Sequence, residues 1–461
     1  MRINTNSVAR GIYAFFALAL FGSTFILPII FYRFPLEKTI YKNGALFLFH
    51  LPTPAIYYSL FIVFLWFLLV FVIMVWPSSI KTFVRVWPER LMIICFFLFS
   101  LIGTVCSLFH NLIIVAPVIK EIVYQLSLLL LAALVIGIYL IKKSNFKIFF
   151  EFIIYFVLFF DLCVFAIVPL LLGIVYPIIA TSIILVFCIY YLKGFNAKTI
   201  LFFIIFWGSL LLIVQPVKTT IRYYLLGPYR PISLKTFFGK RGLLKEASQV
   251  MKINNKHQAF SKLLQLEKAY DPDFDHLRFL TCLKQEHFIG LYVSATQLIY
   301  RLNHLNELTE VMLRTPKEIP YLYGKTYRPF LYLTIPRILW PDKPYDKTGQ
   351  MFGHRYGMLC ISDGTTSINL PIPIEGWINF GFFGVILSAA ILSFSLRFIW
   401  LFFVGENGHV GNVVIGALVL YSAINSESSF FLVLGGCLHT VIVYWLLDIF
   451  VRLIGRRLKY Q

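Results

Sequence analysis

The chain has 461 residues, of which 59% are hydrophobic and only 13% charged. A soluble domain carries roughly 25% charged residues, so this composition excludes an ordinary soluble enzyme and points to a polytopic membrane protein. The formal charge of +20 is weak evidence for a nucleic-acid partner, because much of the excess sits in short loops where the positive-inside bias places it.

In chain order, ten segments hold enough apolar residues to cross a bilayer, which needs about 20. They lie near 11–31, 54–76, 91–114, 121–141, 147–167, 169–192, 199–217, 377–403, 410–426 and 428–451. The first follows Arg2 and Arg10 and has no small-residue cleavage site after it, so it reads as an uncleaved anchor. The fifth and sixth form a tight hairpin around Pro169. The predicted fold is therefore all-α, with about ten transmembrane helices and one large, partly helical external loop before the last three. Three regions follow: an N-terminal membrane domain over 1–217, a loop over 218–376 and a C-terminal membrane domain over 377–461.

With the N-terminus inside, the cytoplasmic pieces hold 15 Lys and Arg and the short outer loops hold 4, namely Arg33, Lys38, Lys42 and Lys120. That asymmetry follows the positive-inside rule and puts both termini in the cytoplasm. The long loop then lies outside, and its own 22 Lys and Arg do not oppose this, because long loops translocate regardless of charge. Its first half is helical by periodicity. Phe260, Leu263, Leu264 and Leu266 share a face near 257–270; Ile289, Val293, Leu298, Leu302, Leu305 and Leu308 do so near 287–313, with Pro316 as the stop. Residues 316–376 are rich in Pro, Gly, Tyr and Arg and lack periodicity, as an irregular cavity-lining segment would. Of seven cysteines, only Cys282 and Cys360 lie in this loop, where they could pair in an oxidising compartment.

The sequence has no phosphate-loop, dinucleotide, zinc-protease or nucleophile-elbow motif, and no Cys/His spacing for a metal. No cofactor is expected. The candidate chemistry lies in three groups. Lys218 and Arg222 in PVKTTIRYY share a helical face, followed by Tyr223 and Tyr224. These make either an interfacial belt or the start of a phosphate site, since a guanidinium fork matches phosphate oxygens. The second group is YGKTYRPFLYLTIPRILWPDKP. Here Arg328 and Arg337 each adjoin a proline that fixes local backbone, with Lys343 and Trp340 nearby. It reads as a diphosphate-and-sugar site or as a basic linker touching anionic headgroups. The third is FGHRYG with ISDGTTSINLPIPIEGWINFG. His354 beside Arg355 is either a proton exchanger or structural, and Glu375 is either a helix cap or a group that orients an acceptor hydroxyl. Within the spans, Asp161 in LFFDLCVF stands out, because an ionisable group in lipid is costly.

IPRILWPDKP, FGHRYG and TTSINLPIPIEGWINFGFFGV together resemble the C-terminal half of bacterial oligosaccharide repeat-unit polymerases, the O-antigen and exopolysaccharide polymerases of the Wzy type. The resemblance runs from about Tyr321 to Val385, with a weaker echo at VKTTIRYY, and the related O-antigen ligases share the architecture. It implies an enzyme of the bacterial inner membrane that joins undecaprenyl-diphosphate-linked oligosaccharides at the periplasmic face, with lipid diphosphate as leaving group and without a metal. It further implies a flippase and a chain-length regulator as partners. Arg222, Arg328 and Arg337 would then hold the diphosphate, with Lys343 and Arg355 in support. His354 or Glu375 would serve the acceptor, and Tyr223 and Trp340 would touch the glycan. An O-antigen ligase and a polysaccharide or lipid transporter are the alternatives.

Overall fold

The computed structural model describes residues 53–75, 87–112, 117–143, 148–167, 304–333, 335, 339–359, 364, 367–404, 409–423 and 428–459. Among them every regular element is a helix. This is what hydrocarbon demands, because a helix satisfies its own backbone polar groups without water. In chain order these are α1 (Thr53–Val75), α2 (Glu89–Leu112), α3 (Pro117–Ser127), α4 (Leu129–Lys143) and α5 (Ile148–Leu162), which widens into a π-helical turn (Cys163–Ile167). After them come α6 (His304–Arg314), α7 (Pro329–Leu333), α8 (Thr348–Arg355), α9 (Ile372–Ile399), α10 (Val410–Ala423) and α11 (Phe430–Lys459).

Among the described residues, six helical segments are long and apolar enough to cross a membrane: Pro54–Met74, Glu89–His110, Ile122–Ile141, Ile148–Phe165, Ile372–Phe403 and Phe430–Ile454. They coincide with six of the ten expected spans. The span expected at 410–426 is an apolar helix of only 14 residues, α10. Those expected at 11–31, 169–192 and 199–217 lie outside the described residues, as do the helix expected at 257–270, most of that expected at 287–313, Cys282 and Cys360.

The core forms where α1 packs on α9, α2 on α4, and α10 between α4 and α11. The visible part of the expected 287–313 helix is α6, which lays Leu305, Leu308 and Val311 into the core and ends at Arg314, before Pro316. It is pinned to α1 by a hydrogen bond from the Thr309 hydroxyl to Ser59 Oγ at 2.8 Å. Of the short elements that follow, the turn Lys325–Tyr327 packs on α9 and α7 packs on α11.

The decisive local feature is a break in α9. Phe380 (φ −141°, ψ 18°) and Gly381 (φ 60°, ψ −141°) leave the helical region, dividing α9 into a short arm over 372–379 and a long arm over 382–399. The Gly381 conformation is open essentially to glycine alone, and a Cβ there would meet the Tyr321 hydroxyl at 2.6 Å. The arms fold back on each other rather than stacking end to end: a Cβ on Gly376 would meet Gly384 O at 2.6 Å. The long arm alone rises about 27 Å, close to a full hydrocarbon thickness. The short arm is thus left to organise a site.

Candidate functional site

A broken helix exposes carbonyls that must be paired elsewhere. The 322–327 segment does this: Leu322 N–H donates to Ile378 O (2.9 Å) and Tyr323 N–H to Asn379 O (3.2 Å). Asn379, fully buried, completes the joint with its side chain. Its Oδ1 accepts from Gly324 N–H at 2.8 Å. Its Nδ2 donates to Thr326 Oγ1 at 2.7 Å and to Glu375 O at 2.8 Å. Replacing Asn379 by Leu is expected to lower stability by about 2–5 kcal/mol, since each buried polar group left unpaired costs roughly 1–3 kcal/mol. The thermal midpoint of the purified protein measures this.

Glu375 stands on the first turn of the short arm and is 0% exposed. It caps a helix other than its own. Its Oε2 accepts the Phe430 N–H at 2.6 Å, one of the N–H groups at the start of α11 that have no partner inside that helix. The positive end of α11 favours a carboxylate there. The Thr326 hydroxyl adds a weaker polar interaction, and Oε1 keeps no partner of normal hydrogen-bond geometry among the described residues. Ser429, the residue before Phe430, also buries a hydroxyl without such a partner. The Tyr327 hydroxyl is hydrogen-bonded with Asn379; burial, and then the negative charge of Glu375, push its pKa well above the ordinary phenol range. Tyr327 therefore keeps its proton in this cluster.

Of the expected cations, Arg328, Lys343 and Arg355 lie among the described residues. Arg328 follows Tyr327 directly, on the turn Lys325–Tyr327, with backbone fixed at φ −57° and ψ −38° before Pro329. Its side chain is exposed. Lys343 is only 4% exposed and donates from Nζ to Ile335 O at 2.7 Å, so part of its role is to close the Ile335–Lys343 loop on itself. Trp340 is 41% exposed and stands edge-on to Tyr332 at 6.4 Å.

His354 and Arg355 end α8. The N-terminal side of α8 lies towards Glu375, because Asp346 acts electrostatically on that carboxyl and also accepts the Thr348 N–H at 2.9 Å. Eight helical residues then carry the chain about 12 Å. At the far end Arg355 donates to Pro320 O at 2.7 Å, and Tyr356 OH meets Thr315 Oγ1 at 2.6 Å. Trp377 Nε1 reaches Thr315 O on that side, at 3.4 Å. Residues 375 and 377 project roughly 200° apart on a helix. Arg222, Tyr223 and Arg337 lie outside the described residues.

Asn379, Thr326, Tyr327 and Ser429 were not singled out by sequence reasoning. Asn379 carried a signal: a polar amide before Phe-Gly within an apolar helix needs a partner or a break. The other three carried none, because their role depends on contacts distant in sequence. Among the described residues no group of three or more His, Cys, Asp or Glu could hold a metal ion. Compared with protein-family models, curated proteins and solved structures, the chain matches none of them.

Proposed function

We propose that the chain is a membrane glycosyltransferase that polymerises undecaprenyl-diphosphate-linked oligosaccharide repeat units into a surface polysaccharide, at the periplasmic face of a bacterial inner membrane. The observation that carries this reading is Glu375. It is a carboxylate with one oxygen fixed at the start of α11 and the other without a partner among the described residues. In the proposed reaction an acceptor sugar hydroxyl gives its proton to Glu375 Oε1 as its oxygen attacks the anomeric carbon of the donor. The bond from that carbon to the diphosphate breaks, and the lipid diphosphate leaves with its charge held by Arg328 and, in this reading, Arg222 and Arg337. Preorganised cations of this kind lower the barrier to departure of an anion. Glu375 is taken as the base here because it has a buried oxygen without a partner among the described residues. Ten spans, cytoplasmic termini, and a flippase and chain-length regulator acting on the same substrate belong to this reading.

Deleting the encoding sequence in the native host and displaying surface glycans on a gel tests it. Polymerase loss leaves a core carrying one repeat, and restoring the chain restores the ladder. Complete loss of attached repeats would point to ligation instead. A second reading, transport of a lipid-linked glycan, draws support from the broken α9, because discontinuous helices line substrate sites in transporters. Purified protein that moves the substrate across vesicles and forms no polymer would favour it.

A further inference from the structure

A second buried carboxylate lies in the helical core, outside the site just described. Asp161, on the last turn of α5, is 0% exposed. Its Oδ1 accepts from Ser100 Oγ at 2.7 Å and faces Thr104 Oγ1 at 3.5 Å. Ser100 and Thr104 are themselves more than nine-tenths buried, and their i, i+4 spacing puts both hydroxyls on one face of α2. Oδ2 has no partner among the described residues. The π-helical turn Cys163–Ile167 begins two residues later, and Phe165 on that turn packs edge-on to Tyr421 of α10 at 5.7 Å. Such widened turns recur at functional sites in helices.

A carboxylate in this setting needs a countercharge or a proton, and no basic side chain is bonded to Asp161 among the described residues. In the helices packed around Asp161, basic residues occur only towards the ends: Arg90 and His110 of α2, and Lys142 and Lys143 of α4. Besides Asp161, α5 has only the acid Glu151, and α10 has no charged residue. The apolar stretches 11–31, 169–192 and 199–217 contain no Lys, Arg or His.

We propose that Asp161, Ser100 and Thr104 form an intramembrane site for one Na⁺ ion. Carboxylate and hydroxyl oxygens are hard ligands, suited to a hard cation and unsuited to soft transition metals. One carboxylate balances one monovalent charge. A proton would also neutralise Asp161, but it would leave a carboxyl oxygen unbonded that a cation engages. The site does not depend on the reaction at Glu375, and it makes the stability of the bundle sensitive to the ion.

The test uses the purified full chain in detergent, with choline chloride holding the ionic strength while NaCl is varied. A ligand that binds only the folded state raises the unfolding midpoint with concentration. The midpoint is expected to rise with NaCl in the native chain, to be flat in Asp161→Asn, and to respond only at about tenfold higher NaCl in Thr104→Val. Should Asp161→Asn fail to fold, binding of radiolabelled Na⁺ to the native chain and to Thr104→Val decides the matter. An equal response to NaCl, KCl and choline chloride would overturn the proposal. So would a midpoint that depends on pH and not on Na⁺, which would make the countercharge a proton.

Discussion

Glu375→Gln is expected to reduce polymer formation by about 10²–10⁴-fold, the usual cost of losing a positioned general base, while the protein stays at its normal level in the membrane. The asymmetry follows from the two oxygens. Gln matches Glu in shape, and its carbonyl oxygen can still accept the Phe430 N–H, so the joint between the short arm and α11 persists. Its amide cannot take a proton from an acceptor hydroxyl. The glycan ladder of a complemented deletion strain, read beside the quantity of chain in the membrane, measures both effects. A full ladder would remove Glu375 from the chemistry. Arg328→Ala is expected to weaken the ladder without lowering the protein level, because the Arg328 side chain is exposed. Loss of the guanidinium takes away charge at the leaving group rather than packing.

Gly384→Leu carries the largest expected effect on folding. The two arms of α9 approach so closely that a Cβ on Gly384 would run into the carbonyl of Gly376. The obstacle is backbone, so no flexible side chain can move aside. Overpacking a core costs roughly 1–3 kcal/mol when side chains can adjust, and here the cost should exceed that range. The arms separate, Asn379 loses its place against Gly324 and Thr326, and little folded protein should survive extraction. Gly435→Ala on α11 is the control: nothing lies within 4 Å of a Cβ there, so the change should be neutral or stabilising by up to about 1 kcal/mol. Comparable thermal midpoints for Gly384→Leu and the native chain would show that the close approach is not needed.

Much of the helical plan was legible because an apolar run of about 20 residues has few structural options in lipid. The stretches at 54–76 and 428–451 needed only length and composition. Residues 372–403 did not yield as fully. The apolar content of α9 is continuous across Phe380 and Gly381, and a hydropathy pattern has no term for a chain that turns back. The Asn-Phe-Gly signal was visible as a motif, yet its meaning depends on Leu322 and Tyr323 arriving to take the freed carbonyls. Glu375 was read as a cap or an acceptor-handling acid, and it caps α11, 55 residues away. That pairing is non-local and has no local signature. Lys343 shows the same limit in reverse: its charge suggested display, but Ile335 O draws it inward.

The most direct measurement of the central claim is reconstitution. The purified chain is placed in vesicles with one undecaprenyl-diphosphate-linked repeat unit, and the products are resolved by length, with released lipid diphosphate quantified. The account predicts a ladder of polymers, one lipid diphosphate released for each bond formed, and neither product with Glu375→Gln. Translocated but unpolymerised substrate, or a ladder unchanged by Glu375→Gln, would contradict it.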